Sequence, residues 1–347
     1  MSAVVSAPHA PTVAMVRERV RRRRVAVVTS VLLALVVVAA VSLSVGDYTL
    51  SPADLWRTLW GGGERIESYV VFQLRAPRLA MAIVTGAALG VSGALLQSLL
   101  SNPLASPDLL GISGGAGVAA VFGLLVLGIA GPLLAVVAFL GGLTVAAFLL
   151  LAGRRRGDGE YRLVVAGIGI SFLCVAITGY LMTRAQVELA QTALIWLTGT
   201  LASTPWWNVV VVLVVSLIAL PAVVACARWL PLTQLGAGTA VSLGVRPGVV
   251  RITTVVVAVL LVSTTCAFVG PISFIALCAP AIARPLLGHG AVGIGTSAGV
   301  GALLLAGADL IAQYAIPGIS LPVGVVTGAL GSLFLLWLLM TSKGRQL

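Results

Sequence analysis

Charged residues are scarce in this sequence. They make up 9% of its 347 residues, whereas about a quarter of a soluble domain is charged. No polar stretch is long enough to hold a soluble domain, which excludes a soluble enzyme or binding module. Apolar residues make up 59% of the chain, and because each membrane span needs about 20 residues, almost the whole length is required for spans. The predicted fold class is therefore all-α, a polytopic membrane protein.

Reactive side chains are few and isolated. The two histidines, His9 and His289, lie far apart and show no metal-ligand spacing, so no metal site is predicted. Lys343 is the only lysine and is followed by glycine, which makes a P-loop motif impossible. Four cysteines without a C-x-x-C pair lie in or next to apolar segments and are interpreted as small buried residues: Cys174, Cys226, Cys266 and Cys278.

The net charge of +11 does not indicate nucleic-acid binding, because the arginines lie at the ends of apolar segments and form no basic face with interleaved aromatics. An arginine cluster at 17–24 precedes the uncharged segment 25–45. A signal peptide would need a shorter apolar core and a small-residue cleavage site, so this segment is interpreted as an uncleaved first span. Residues 1–24 then form a basic cytoplasmic segment, 25–341 the transmembrane domain and 342–347 a cytoplasmic tail.

Uncharged segments and their Gly-Pro breaks predict ten spans. Gly131-Pro132 divides residues 109–153 into a third and a fourth span, and Gly270-Pro271 divides residues 252–283 into a seventh and a short eighth. Short helices on the outer surface are expected at 52–60 and within 184–203. The remaining spans are expected at 25–45, 79–100, 163–183, 206–227, 291–313 and 321–341.

Ten spans place both termini on one side of the membrane, and the distribution of basic residues shows which side. Most arginines lie in segments that this topology assigns to the cytoplasm. The outer segments hold the others: Arg57, Arg65, Arg75, Arg78 and Arg184. Both termini are therefore predicted to be cytoplasmic.

The second span opens with Arg75-Ala76-Pro77-Arg78, where the proline is expected to fix the start of the helix. The two arginines could extend to lipid phosphates. Alternatively, they form a fixed cationic site to which acidic residues of an external partner dock by bidentate hydrogen bonds. Farther along the span, three glycines at spacings of four and three share one face and allow close approach of another helix: Gly86, Gly90 and Gly93.

The segment 232–245, LTQLGAGTAVSLGV, lies in the predicted cytoplasmic connection between the sixth and seventh spans. Leu235, Val241 and Leu243 are apolar although they are expected to face the cytosol. The segment is either an amphipathic turn on the membrane surface or a short helix seated in a groove of a cytosolic protein.

Asp309 is the one carboxylate well inside a predicted span. An acid in this place raises the hypothesis of a proton relay. Gln313, four residues on, is expected to be its local hydrogen-bond partner. Asp108 is expected in the first turn of the third helix, where the helix dipole favours an acid.

Several motifs, in order from Leu74 to Leu339, resemble the permease subunits of bacterial importers for iron-siderophore complexes, haem and vitamin B12, often called the FecCD type. The sequence around Ser106-Pro107-Asp108 and from Gly270 to Leu277 is most similar to that of permeases for catecholate siderophores of the ferric-enterobactin kind. The matching motifs are R-A-P-R-L from Arg75, G-A-x-L-G-V-S-G-A-L-L-Q from Gly86, N-P-L-A-S-P-D-L-L-G from Asn102, G-G-A-G from Gly114, W-L-T-G from Trp196, A-x-x-L-G-V from Ala240, G-P-I-S-F-I-A-L from Gly270 and L-P-V-G-V-V-T from Leu321.

The resemblance implies a ten-helix type II ABC importer fold in the inner membrane, with a second permease subunit, identical or homologous, around a central pathway. Two cytosolic ATPase subunits would use ATP, a substrate-binding lipoprotein would deliver cargo outside, and this chain would bind no cofactor. Arg75 and Arg78 would engage acidic residues of that lipoprotein. The residues implied to contact the ATPase are Leu235, Gly236, Ala240, Leu243, Gly244 and Val245.

The chain departs from the family pattern at four places. Ala281 stands where a histidine is frequent and Ser320 where a glutamate is frequent. Gln313 replaces an outer-edge arginine, so the resemblance supplies no third docking arginine. Ala237-Gly238 replaces an acidic pair, which implies an apolar contact with the ATPase.

Together these observations predict the permease subunit of an ATP-driven importer that moves a ferric siderophore by alternating access. Two alternatives stay open. A proton-coupled secondary transporter would use Asp309, and a membrane scaffold or receptor would transport nothing.

Overall fold

The computed structural model describes residues 13–152, 159–202, 204–288, 292–316 and 318–341. The first half of the predicted basic N-terminal segment 1–24, the charged connection at 153–158 and the tail at 342–347 lie outside these residues. The described residues form fourteen α-helices and a π-helical turn, Val70–Arg75. The α-helices are α1 (Val13–Ser44), α2 (Pro52–Leu59), α3 (Arg65–Tyr69), α4 (Ala76–Leu99), α5 (Ile112–Leu125), α6 (Pro132–Ala152), α7 (Gly159–Thr183), α8 (Val187–Thr198), α9 (Trp206–Thr233), α10 (Ala237–Ser242), α11 (Pro247–Val269), α12 (Ile275–Leu287), α13 (Ile294–Tyr314) and α14 (Val323–Thr341).

Seven of the ten predicted spans are helical segments that, within the described residues, are long and apolar enough to cross a membrane. Four more apolar helices are shorter: α5, α8, α12 and α14. Of these, α5, α12 and α14 lie at the positions of the predicted third, eighth and tenth spans, and α8 lies in the segment predicted on the outer surface. Helix α2 has 8 residues and is too short to span, as predicted. The Ser51 side chain caps α2 by accepting a hydrogen bond from the Asp54 backbone N–H at 3.2 Å.

The second span begins earlier than predicted. Pro77 does not open the helix, because helical structure is continuous from Arg65 to Leu99. The π-helical turn Val70–Arg75 lies directly before Pro77, and the Ala76 N–H bonds to the Val71 carbonyl, five residues back. Widening the helix there accommodates a residue that has no N–H of its own.

Helix α4 lies at the centre of the fold. In the helical segment 65–99, which contains α4, 72% of the most apolar stretch is buried inside the protein, and the same share is buried in α11. The corresponding share is 6% in α1 and 17% in α7. The central position depends on glycines, because a Cβ atom would overlap a main-chain carbonyl oxygen of α13 or α12 at each of three positions: Gly86 against Gly301, Gly90 against Ser297, and Gly93 against Ala276.

Asp108 lies outside the helix in which it was expected. Helix α5 begins at Ile112, with Gly111 as its left-handed N-cap residue at φ 76°. The Asp108 carboxylate accepts a hydrogen bond from the Ser113 hydroxyl at 2.5 Å. The prediction of an acid within the first turn was therefore wrong by one turn, because the chain makes tight turns through 107–111 before the helix starts.

Candidate docking and coupling sites

An ion pair joins α4 to α13. The Arg78 Nε atom lies 2.9 Å from Oδ2 of Asp309, and its Nη2 atom lies 2.8 Å from Oδ1. The two residues are brought together because the backbones of α4 and α13 touch farther along at Gly86 and Gly301. Two parallel N–H donors on one carboxylate make this a charge-assisted, bidentate contact.

The Asp309 carboxylate is deeply buried and fully engaged. Its side chain is 4% exposed, compared with 18% for Arg78. Gln313 Nε2 donates to Asp309 Oδ2 at 2.8 Å, which confirms the predicted local partner. The pair with Arg78 was not predicted, because the two residues are 231 positions apart and no spacing in the sequence links them.

Arg75 is held by main-chain carbonyl oxygens. Its Nη1 donates to the Leu43 carbonyl at 2.7 Å and its Nη2 to the Tyr48 carbonyl at 2.6 Å. The Tyr314 hydroxyl donates to the Val45 carbonyl at 2.8 Å. These bonds tie the end of α1 and the residues after it to the π-helical turn before α4 and to α13.

Arg75 and Arg78 line one surface cavity of about 740 Å³, which we name the arginine cavity. Gln313 and Tyr314 form part of its wall, and Asp309 lies behind the wall. The other lining residues are Val45, Gly46, Asp47, Tyr48, Val70, Leu74, Ile316, Gly318, Ile319 and Ser320. The structure thus places both predicted docking arginines at one opening.

Helix α2 is fixed beside this region by a second ion pair. Arg57 Nη2 lies 3.1 Å from an oxygen of Glu67, whose side chain is 7% exposed. The hydrogen bond that Arg57 donates to Glu67 and the negative charge of that carboxylate raise the pKa of Arg57 above its usual value. Glu67 also accepts a hydrogen bond from the Glu64 N–H at 2.8 Å, so one carboxylate joins α2 to the start of α3.

The segment 232–245 forms the end of α9, a turn and the short helix α10. Leu235 and Val241 are each 62% exposed and Leu243 is 55% exposed, whereas Ala240 is fully buried. Ala240 packs on the cluster that holds Leu230 of α9. The segment therefore has one face that packs on the helices and one exposed apolar face.

Ser98, near the end of α4, accepts hydrogen bonds from this segment and from α12. Gln234 Nε2 donates to the Ser98 carbonyl at 3.0 Å, and Arg284 Nη2 donates to the Ser98 hydroxyl at 2.9 Å. Arg284 Nη2 also lies 3.2 Å from the Ala94 carbonyl. The 232–245 segment, α4 and α12 thus meet at Ser98. Sequence reasoning did not single out Gln234, Ser98 or Arg284 as site residues.

In the part of the chain that the structure describes, no cluster of three or more His, Cys, Asp or Glu side chains could hold a metal ion. The four cysteines are buried and free.

Similar proteins were found at the levels of family, sequence and structure. The model of the FecCD transport family matches residues 32–341. The ferric enterobactin transport system permease protein FepG of Escherichia coli K12 is 38% identical over 93% of this chain and 98% of its own length. The Fe(3+) dicitrate transport system permease protein FecD of the same organism is 36% identical over 92% and 100%.

A vitamin B12 import system permease protein, BtuC of Vibrio cholerae, is 35% identical over 87% of this chain and 90% of its own length. In structure, the chain is similar to a solved metal-chelate type ABC transporter in an inward-facing conformation, with a TM-score of 0.81 and 24% identity, covering 90% of this chain and 98% of the other. That likeness shows the fold, and the family match extends over most of the described spans. The chain therefore belongs to the FecCD transport family, the membrane permeases of ABC importers.

Proposed function

We propose that this chain is the permease subunit of an ATP-driven importer whose cargo is a ferric siderophore of the catecholate type. The observation that carries the proposal is the 38% identity to a ferric enterobactin permease over 98% of that protein's length. Other relatives bear names of ferric dicitrate, vitamin B12 and hemin systems. All of these cargoes are bulky chelates or macrocycles, so the pathway should be broad and should bind its cargo weakly.

Transport would proceed by alternating access in a complex with a second permease subunit and two cytosolic ATPase subunits. ATP would be bound and used by those partners. The exposed apolar face of the 232–245 segment would seat in a groove of the ATPase, which suits the apolar Ala237-Gly238 pair. Closure of the ATPase pair would then move α10 and, through Ser98, the ends of α4 and α12.

Cargo would arrive on a substrate-binding lipoprotein at the arginine cavity. Arg75 and Arg78 would form the cationic docking face for acidic residues of that protein. This orientation places the cavity outside, the 232–245 segment in the cytoplasm and both termini in the cytoplasm of a bacterial inner-membrane protein.

The proton-coupled alternative is not favoured. A proton relay needs a carboxylate that exchanges protons during the cycle, whereas Asp309 is held by a bidentate arginine and a glutamine. The scaffold alternative predicts that a complete complex in vesicles shows no uptake.

The cargo is tested by growth and uptake in a strain that lacks this gene. Cells are given ferric enterobactin, ferric dicitrate or haem as the sole iron source, and accumulation of ⁵⁵Fe is measured with and without the gene restored. We expect restoration to recover uptake from the ferric catecholate. Recovery with haem or dicitrate alone would reject the catecholate assignment and leave the importer assignment intact.

A further inference from the structure

The guanidinium group of Arg78 has two edges, and Asp309 occupies one of them. The side edge, Nε and Nη2, is bonded to the carboxylate at 2.8–3.1 Å. The end edge consists of Nη1 and the second N–H of Nη2. Nη1 has no acceptor among the described residues, and Arg78 lies on the wall of the arginine cavity. One arginine can therefore hold Asp309 and still present two parallel donors to the cavity.

Asp309 is placed to orient Arg78, and its own carboxylate is not accessible to a partner in the cavity. Its side chain is 4% exposed and it is absent from the cavity lining. Gln313 Nε2 bonds to the same carboxylate oxygen as Arg78 Nε. Because Gln313 lies one helical turn from Asp309, it fixes the carboxylate, and the carboxylate in turn fixes the plane of the guanidinium.

Charge alone would attract an acidic partner only weakly. The charged residues lining the cavity are Arg75, Arg78 and Asp47, and Asp309 lies directly behind Arg78. These four formal charges cancel. Arg75 also directs both of its terminal nitrogens at main-chain carbonyls. Recognition must therefore depend on the geometry of the Arg78 end edge more than on long-range attraction.

We propose that Asp309 is a positioning residue of the docking surface, which holds the Arg78 end edge toward the cavity so that it forms a bidentate pair with a carboxylate of the external protein. The inference rests on the proposed docking function of this face. It narrows the docking contact of the proposed function to Arg78, whereas Arg75 shapes the rim by bonding the end of α1 and the residues after it to the π-helical turn before α4. The ligand class is an aspartate or glutamate on a protein surface.

The test uses the full complex in proteoliposomes, with the loaded substrate-binding protein that supports uptake by the wild-type complex as the probe. Uptake rate is measured against the concentration of that protein for Asp309→Asn, Arg78→Lys, the double variant and Arg184→Gln. Asn keeps the shape of Asp309 but removes its charge. Lys keeps the charge of Arg78 but removes the parallel N–H donors of the guanidinium. Arg184 is a matched arginine that stacks on Tyr180 away from the cavity.

We expect Asp309→Asn to raise the half-saturating concentration about fivefold or more, with the maximal rate within about twofold, because loss of one charge-assisted contact weakens binding by about that factor. Arg78→Lys should do the same. The double variant should be no worse than Arg78→Lys, because the two residues act as one unit. Arg184→Gln should match the wild type.

An unchanged half-saturating concentration for Asp309→Asn would overturn the inference. So would a loss of maximal rate and melting temperature without a change in that concentration, which is the signature of a merely structural pair. Absence of ATP-dependent uptake by the wild-type complex would instead reject the proposed function, so the two failures are distinguishable.

Discussion

Gln234 donates a hydrogen bond from its side-chain amide to the main-chain carbonyl of Ser98 at 3.0 Å. The bond joins the chain just before α10 to the last turn of α4, which is, with α11, one of the two most buried helices. An exposed surface element is thereby attached directly to the core.

Gln234→Leu is expected to uncouple ATP hydrolysis from transport. The substitution keeps the size of the side chain but removes the donor, so movement of α10 would reach α4 less effectively. In a reconstituted complex the ratio of uptake to ATP hydrolysis should fall about fivefold or more, as expected when about 1 kcal/mol of coupling is lost. Gln191→Leu, on the exposed face of α8, is the control and should leave the ratio unchanged. A wild-type ratio for Gln234→Leu would show that Ser98 does not transmit the movement.

Replacing Leu243 by serine is expected to weaken assembly with the ATPase. Leu243 is 55% exposed on the face proposed to contact that partner, and burying a leucine contributes about 1.5–3 kcal/mol. Retention of the ATPase on the detergent-purified permease should fall about tenfold or more. Leu59→Ser is a control on α2, where the leucine is 44% exposed. Equal retention of the ATPase in both variants would show that Leu243, directly after α10, is not part of the interface.

Gly86→Ala is expected to destabilise the helix bundle. The added Cβ would lie 2.8 Å from the Ala302 Cα and would overlap the Gly301 carbonyl, so α13 must move away from α4. Overpacking of this kind costs about 1–3 kcal/mol, and the melting temperature of the purified protein should fall. Gly169→Ala in α7 meets nothing within 4 Å and should keep or slightly raise the melting temperature. The contact would be less important than inferred if both variants melted alike.

The orientation in the membrane is tested by labelling single cysteines in a cysteine-free background. Ser242 ends α10, and Arg184 follows the end of α7. A membrane-impermeant maleimide added to intact cells should label a cysteine at position 184. It should label a cysteine at position 242 only after the membrane is permeabilised. The reverse pattern would invert the proposed topology.

Much of the helical layout could be predicted from the sequence, because uncharged length and Gly-Pro breaks are local signals. The ten apolar segments, the cap at Ser51 and the Asp309–Gln313 contact all depend on residues near one another in the chain. Pro77 shows the limit of this reasoning, since a π-helical turn absorbed a residue that normally ends or begins a helix.

Contacts between distant segments could not be predicted in the same way. Whether Arg78 meets Asp309, and whether Gln234 meets Ser98, depends on which helices pack side by side and in what register. Nothing in the spacing of one sequence reports that register. The sequence therefore suggested only lipid phosphates or an external protein as partners of Arg78, and the buried carboxylate that it pairs with is seen only in the structure.

The most direct measurement is uptake of ⁵⁵Fe as ferric enterobactin into sealed proteoliposomes that hold this permease, its partner permease if one is needed, and the ATPase, with the binding protein outside. We expect accumulation that requires ATP at the ATPase, requires the binding protein and persists when the pH gradient is collapsed. Accumulation by this chain alone, driven by a pH gradient without ATP, would contradict it.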